Sequence, residues 1–153
     1  MPIMPPAPDG HAAPGTRIRV LVVDDDDTLR KALRIALSEE GYELLEAADG
    51  LAALSILQAV STPLVVLTDH VMPHLDGPGL LAAAARDPVL ASRHVYLYMS
   101  GRTHPPSADF ARVLAQLQVV RIRKPLKLAL LLATIATATQ RLPGRTQEGV
   151  TAS

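Results

Sequence analysis

The sequence predicts one α/β domain, a parallel five-stranded sheet with helices on both faces. Strand-like and helix-like patterns alternate five times between residues 17 and 142, and strands separated by helices favour a parallel sheet. The length of 153 residues suits one domain with tails. Hydrophobic residues make up 48% of the chain and aromatic residues only 3%, so we expect an aliphatic core.

The predicted strands are short apolar runs, as expected for strands buried on both faces. They cover residues 18–23, 42–47, 64–68, 95–100 and 119–123. The predicted helices carry apolar side chains at helical spacing. The first is capped by Asp27 or Thr28 and ends at Gly41, and the others cover residues 50–59, 78–86, 107–117 (capped by Ser107) and 126–141.

The last helix has more apolar residues than one buried stripe requires. The predicted inward stripe consists of Leu128, Leu131, Leu132 and Ile135. Leu130 and Ala133 lie partly off that stripe. They fit either a closely packed helix or a face for a homodimer or a kinase.

Composition and net charge indicate which cellular compartment and which binding partners to expect for this chain. Residues 1–16 hold five prolines and two glycines and are predicted to be a disordered tail, residues 143–153 a flexible tail, and residues 17–142 the folded domain. The net charge is zero, so we expect neither a nucleic-acid nor a membrane partner. No secretory signal or membrane-spanning run is visible, and cysteine is absent, so we expect a soluble cytoplasmic protein.

Acidic, hydroxyl and basic side chains stand at the ends of four predicted strands. Asp24 and Asp25 follow the first strand, Asp69 the third, Ser100 ends the fourth and Lys124 follows the fifth. In a doubly wound parallel sheet these ends meet at one crevice, where ligands bind. Clustered carboxylates need a cation, and Mg²⁺ prefers oxygen ligands and phosphates. The pattern predicts a phosphoryl-transfer site with an aspartate nucleophile.

Each of these residues also has an ordinary structural interpretation. The acidic run 24–27 could serve only to start a helix, because carboxylates favour helix N-termini. Asp69 could be a turn residue, and Lys124 before Pro125 a solvated lysine. The functional prediction depends on their joint occurrence at four strand ends.

These segments resemble the response-regulator receiver domain of two-component signalling. The matching motifs are VLVVDD at residues 20–25, Asp69 with MPHLDG at 72–77, Ser100-Gly101 and Lys124-Pro125. The resemblance covers roughly residues 17 to 141. It implies a flavodoxin-like fold with strand order 2-1-3-4-5.

The resemblance also implies a role for each acidic residue. Asp69 would be phosphorylated by a phosphohistidine of a sensor histidine kinase or a histidine phosphotransfer protein. Mg²⁺ would be bound by Asp25, Asp69 and the backbone carbonyl of Val71, while Asp24 would hold a metal-bound water. Downstream signalling would then pass through protein contacts in this phosphorelay.

Three further positions complete the expected switch. Lys124 would pair with Asp69 and later with the phosphoryl group, and Ser100 would move toward the phosphoryl oxygens. Many receivers carry an aromatic residue three positions before the lysine, where this chain has Arg121. Arg121 and Arg123 would lie on one face of an edge strand. They would either block association between sheets or alter the output surface by pairing with a partner's carboxylates.

Two other functions fit part of the pattern. Asp24, Asp26 and Thr28 match the D-x-D-x-T motif of haloacid-dehalogenase-type phosphatases, although that family's late acidic pair is missing. A receiver-like interaction module that never takes phosphate is the other alternative. We favour a stand-alone phosphoacceptor that is not an enzyme, apart from its own phosphorylation and dephosphorylation.

Overall fold

The computed structural model of the chain describes residues 17–102 and 104–144. The tail predictions for residues 1–16 and for 145–153 lie outside these residues. The domain boundaries drawn from the sequence therefore stay predictions. No helix in the described part of the chain has the length and apolar character needed to cross a bilayer.

A single parallel sheet of five strands forms the centre of the fold, in the order β2-β1-β3-β4-β5. The strands are β1 Arg19–Val23, β2 Glu43–Ala47, β3 Leu64–Thr68, β4 Val95–Ser100 and β5 Val120–Arg123. This order confirms the predicted one, and β5 is the predicted edge strand. Because Val23 is level with Thr68 and Ser100 with Arg123, the carboxyl ends of neighbouring strands stand side by side.

Within residues 17–102 and 104–144, six helices connect and follow these strands. They are α1 Asp27–Glu39, α2 Gly50–Ala59, α3 Gly77–Arg86, α4 Pro88–Arg93, α5 Ala108–Leu117 and α6 Leu128–Thr139. The short helix α4 was not predicted. The Asp87 side chain accepts hydrogen bonds from the amides of Val89 and Leu90, and Pro88 starts the helix. Six residues are too few to show a helical period in the sequence.

Two local predictions about helix ends were wrong. Asp26, not Asp27 or Thr28, caps α1, because its backbone is extended and its carboxylate accepts from the amides of Thr28 and Leu29. Leu128 is 50% exposed and does not belong to the buried stripe of α6. It stands in the first turn of the helix, and burial of the stripe begins only at Leu131.

Two hydrophobic clusters cover the two faces of the sheet. One joins alternate strand residues to α2, α3 and α5, and it includes Leu21, Val66 and Tyr96. The other joins the intervening residues to α1 and α6, and it includes Val22 and Leu67. The predicted aliphatic core is confirmed, and every residue of β3 is buried. These clusters fix the strand ends that carry the candidate site.

Candidate functional site

Three predicted carboxylates meet at the carboxyl ends of β1 and β3. Ligand oxygens of Asp24, Asp25 and Asp69 all lie within 4.8 Å of one another. Asp24 and Asp69 are buried, whereas Asp25 is exposed. The adjacent register of the two strands causes this convergence, since Val23 is level with Thr68.

Asp24 has one free oxygen inside the protein. Its amide donates to the Ala47 carbonyl over 3.1 Å, and its Oδ1 accepts from the Asp26 amide over 2.9 Å. Its Oδ2 is buried without a hydrogen-bond partner among the described residues. Burial raises the pKa of Asp24 to about 6, and the nearby Asp69 adds to the rise.

This donor set fits a magnesium site. A buried carboxylate oxygen without a partner needs a cation or a cation-bound water to compensate for its lost hydration. Asp25 and Asp69 supply two further carboxylates within reach of the same point. Mg²⁺ characteristically takes one or two carboxylates, several waters and phosphate oxygens.

Lys124 places a positive charge directly on Asp69. Its Nζ lies 2.6 Å from Asp69 Oδ1, and the Lys124 side chain is 35% exposed while that of Asp69 is 10% exposed. The same Oδ1 accepts from the His70 amide over 2.8 Å. The predicted ammonium–carboxylate pair is therefore present, and two donors orient the Asp69 side chain.

The loop between β3 and α3 is folded tightly against Asp69. The Gly77 amide donates to the His70 carbonyl over 2.9 Å. A Cβ at Gly77 would lie 2.1 Å from the Asp69 carbonyl oxygen, so only glycine fits there. Asp76 then caps α3 by accepting from the Gly79 amide over 2.8 Å. Val71 lies in this loop and is 71% exposed, and its carbonyl stays a predicted ligand.

Ser100 stands at the end of β4, beside the lysine strand. Its carbonyl accepts from the Lys124 amide over 3.1 Å, which ties the ends of β4 and β5 together. Its hydroxyl oxygen accepts from the Arg102 amide over 3.0 Å. Ser100 and Lys124 thus belong to one corner of the site, as the sequence predicted.

A second polar group next to Asp69 was not predicted. His70 Nδ1 contacts the Tyr98 hydroxyl, and Arg102 Nη1 lies 3.3 Å from His70 Nε2. Burial lowers the pKa of His70, and the positive charge of Arg102 lowers it further. A weak signal existed in the sequence, because Tyr98 is two residues before Ser100 and so shares its face of the strand. Arg121, at the altered switch position, is exposed and lines a pocket together with these side chains.

The structure does not favour the phosphatase alternative. Asp26, the residue that would be the general acid, accepts from the amides of Thr28 and Leu29 over 3.0 and 3.2 Å. It acts as a helix cap. Asp69, which that alternative leaves without a role, lies among the clustered carboxylates.

Comparisons with known sequences agree with this geometry. The family described as "Response regulator receiver domain" matches residues 20–136. A probable transcriptional regulator, ycf27 of Cyanophora paradoxa, is 50% identical over 62 residues, which is 40% of this chain and 26% of that protein. The response regulator MprA of Mycobacterium sp. (strain KMS) is 47% identical over 60 residues, 39% of this chain and 26% of that protein. The matched segments thus span about a quarter of these curated relatives.

Solved structures show the same architecture. The chemotaxis protein CheY4 of Vibrio cholerae superposes with a TM-score of 0.65 at 25% identity, covering 80% of this chain and 98% of that one. A CheY-like receiver domain protein of Methanospirillum hungatei JF-1 gives a TM-score of 0.67 at 25% identity, covering 80% and 95%. The strand order, the strand-end residues and the match over residues 20–136 lead to one conclusion. This chain belongs to the response regulator receiver domain family.

Proposed function

We propose that this receiver accepts a phosphoryl group on Asp69 from a phosphohistidine of a sensor histidine kinase or a histidine phosphotransfer protein. One observation carries the proposal. Asp69 shares a cluster of carboxylate oxygens with Asp24 and Asp25 and pairs with Lys124 across 2.6 Å. Asp69 therefore lies among other carboxylates and beside one ammonium group. This environment suits a nucleophile that acquires the negative charge of a phosphoryl group when it reacts.

The residues that would hold Mg²⁺ are Asp25, Asp69 and the Val71 carbonyl, with Asp24 holding a coordinated water. When bound, Mg²⁺ would neutralise negative charge on the phosphoryl oxygens. The buried Oδ2 of Asp24, which has no partner in the described part of the chain, supports this assignment. Asp25 is exposed and reaches the cluster from the solvent side, where a phosphorylated partner would approach.

In the transfer, an Asp69 carboxylate oxygen forms a bond to phosphorus while the phosphorus–nitrogen bond to the donor histidine breaks. The donor ring leaves with the electron pair of that bond. Lys124 already donates to Asp69 Oδ1 and is placed to follow the charge onto a phosphoryl oxygen. The Ser100 hydroxyl would exchange its present contact with the Arg102 amide for a donation to the phosphoryl group.

The phosphorylated state would be read by a protein partner in the cytoplasm. We propose that the domain is a signalling phosphoacceptor and turns over no external substrate. Arg121 is exposed beside the pocket that Tyr98 and Ser100 line, so a change at Ser100 would alter the surface around it. That surface could serve the downstream target or a second copy of the chain.

Phosphorylation with a small donor tests the proposal. The protein is incubated with acetyl phosphate and Mg²⁺, and its intact mass is measured. We expect one added phosphoryl mass in the wild type, none in Asp69→Asn and none when Mg²⁺ is chelated. Asp109→Asn is the matched control, because this exposed carboxylate pairs only with Arg112 within the described residues, so phosphorylation should persist. A wild type that gains no mass would refute the proposal and favour the phosphate-free interaction module.

A further inference from the structure

Arg30 connects the acidic site to two neighbouring elements. It lies in the first turns of α1, and its side chain is 15% exposed. Its Nη1 donates to the main-chain carbonyl of Asp24 over 2.6 Å, and its Nε donates to Glu46 Oε1 on β2 over 3.1 Å. Its Nη2 contacts Asp27 in the same helix. One planar guanidinium therefore joins α1, β2 and the loop that carries the metal-binding carboxylates.

The contact with the Asp24 carbonyl completes the restraint of that residue. The Asp24 amide is bound to the Ala47 carbonyl, and Asp24 Oδ1 is bound to the Asp26 amide. With the carbonyl held by Arg30, the peptide group that joins Asp24 to Asp25 cannot rotate freely. The direction of the Asp25 carboxylate depends on that peptide group. Among the polar atoms of Asp24 itself, only Oδ2 has no hydrogen-bond partner within the described residues.

Arg34 offers an internal comparison one helical turn later. Its Nε donates to the other oxygen of Glu46 over 2.6 Å, and its side chain is 50% exposed. It carries the same charge and shares the same carboxylate. Within the described residues, however, it makes no hydrogen bond to Asp24.

We propose that Arg30 is a positioning residue, which holds the main chain of Asp24 and Asp25 in the geometry that Mg²⁺ binding requires. The inference rests on the proposed function, since it concerns the same metal site. It assigns a role to a side chain that touches neither the metal nor the phosphoryl group. The residues that orient metal ligands commonly matter nearly as much as the ligands themselves.

The positive charge of Arg30 and its proposed positioning role predict opposite changes in Mg²⁺ affinity when the side chain is replaced. A positive charge near three carboxylates repels a cation, so loss of the charge alone would tighten Mg²⁺ binding. Loss of the positioning contact frees the loop and would weaken Mg²⁺ binding. The sign of the change therefore separates the two roles.

The test compares Arg30→Met, Arg30→Lys and Arg34→Met with the wild type. Mg²⁺ is titrated while backbone amide signals are followed by NMR, and urea denaturation without Mg²⁺ reports the stability of each variant. We expect the Mg²⁺ dissociation constant of Arg30→Met to rise about tenfold, a typical effect for a residue behind a metal ligand. Arg34→Met should stay within about twofold, because surface charge contributes little at high exposure.

Arg30→Lys tests the geometry with the charge retained. A lysine ammonium cannot reproduce the three contacts that the planar guanidinium of Arg30 makes. We therefore expect weaker Mg²⁺ binding in Arg30→Lys as well. The Arg30→Lys variant also allows the positioning role to be tested if Arg30→Met does not fold. In both Arg30 variants, phosphorylation by acetyl phosphate should need more Mg²⁺ for its half-maximal rate and approach the wild-type rate when Mg²⁺ saturates.

Three results would overturn the inference, and they can be distinguished from one another. Unchanged or tighter Mg²⁺ binding in the Arg30 variants, with normal binding by the wild type, would refute the positioning role alone. A wild type that does not bind Mg²⁺ would refute the proposed metal site, and the role of Arg30 with it. Mg²⁺ binding that is weakened equally in Arg34→Met would also refute the positioning role. The weakening would then come from loss of a contact with Glu46, which both arginines share.

Discussion

Acidification should destabilise the fold through His94, a buried residue directly before β4. The residue is 4% exposed, and its Nδ1 accepts a hydrogen bond from the Leu64 amide over 3.0 Å. Burial lowers the pKa of His94 from 6.5 to about 4, and the positive charge of Arg93 adds to this. The folded protein therefore keeps the ring neutral at pH values where the unfolded chain protonates it.

The sign and the size follow from the two pKa values. Because the unfolded chain binds the proton more readily, the stabilisation is complete above pH 6.5 and is lost as the pH falls toward 4. The full difference between these two pKa values corresponds to roughly 3 kcal/mol. Between pH 7.5 and pH 5.0 the same two values give a loss of about 2 kcal/mol.

Urea denaturation at these two pH values measures the effect. The comparison variant is His94→Asn, whose side-chain oxygen can still accept from the Leu64 amide but cannot gain a charge. Other titrating groups act in both proteins and cancel in the comparison. We expect the wild type to lose about 2 kcal/mol more than the variant on acidification. Equal losses in the two proteins would show that His94 does not titrate as the structure implies.

Three other predictions concern the loop, the core and the switch. Gly77→Ala should reduce the free energy of unfolding by about 1–3 kcal/mol, as overpacking does, because the new Cβ would lie 2.1 Å from the Asp69 carbonyl oxygen. An unchanged midpoint of urea denaturation would contradict this prediction. Leu131→Ala should lower the free energy of unfolding by about 2–5 kcal/mol, and Leu128→Ala by less than about 1 kcal/mol. The reason is that Leu131 is 1% exposed and Leu128 is 50% exposed. Thermal denaturation of the two variants measures this difference. Lys124→Ala should still gain some phosphoryl mass but lose the phosphorylation-dependent amide shifts of β4 and α5; wild-type shifts in that variant would remove Lys124 from the switch.

The parts of the fold that were predicted correctly are those encoded by local periodicity. The bounds of α2, β3 and β4 coincide with the predicted ranges, because each is one continuous local pattern in the sequence. Helix α4 was not predicted, since it begins at one capping residue, Asp87, and is too short for a helical repeat. The cap of α1 was misplaced by one residue, because four consecutive aspartates offer nearly equal choices.

The convergence of the main candidate residues was predicted from the sequence, but the contacts that support them were not. Asp24, Asp25, Asp69 and Lys124 could be assigned because they follow strands, and parallel strands bring their ends to one edge. The contact of Arg30 with the Asp24 carbonyl could not be assigned, because it depends on the direction of a long side chain across three elements.

The order of strands and helices, and the chemical groups at the strand ends, were determined by the sequence alone, because alternation and spacing are properties of neighbouring residues. Only the tertiary structure decided that Asp24 is buried, with one oxygen that has no partner among the described residues, and that His94 is enclosed. Only it placed Tyr98 against His70, beside Arg121. Burial and contacts between distant segments arise from packing in three dimensions, and they set the pKa values and the cation affinity on which the proposed function depends.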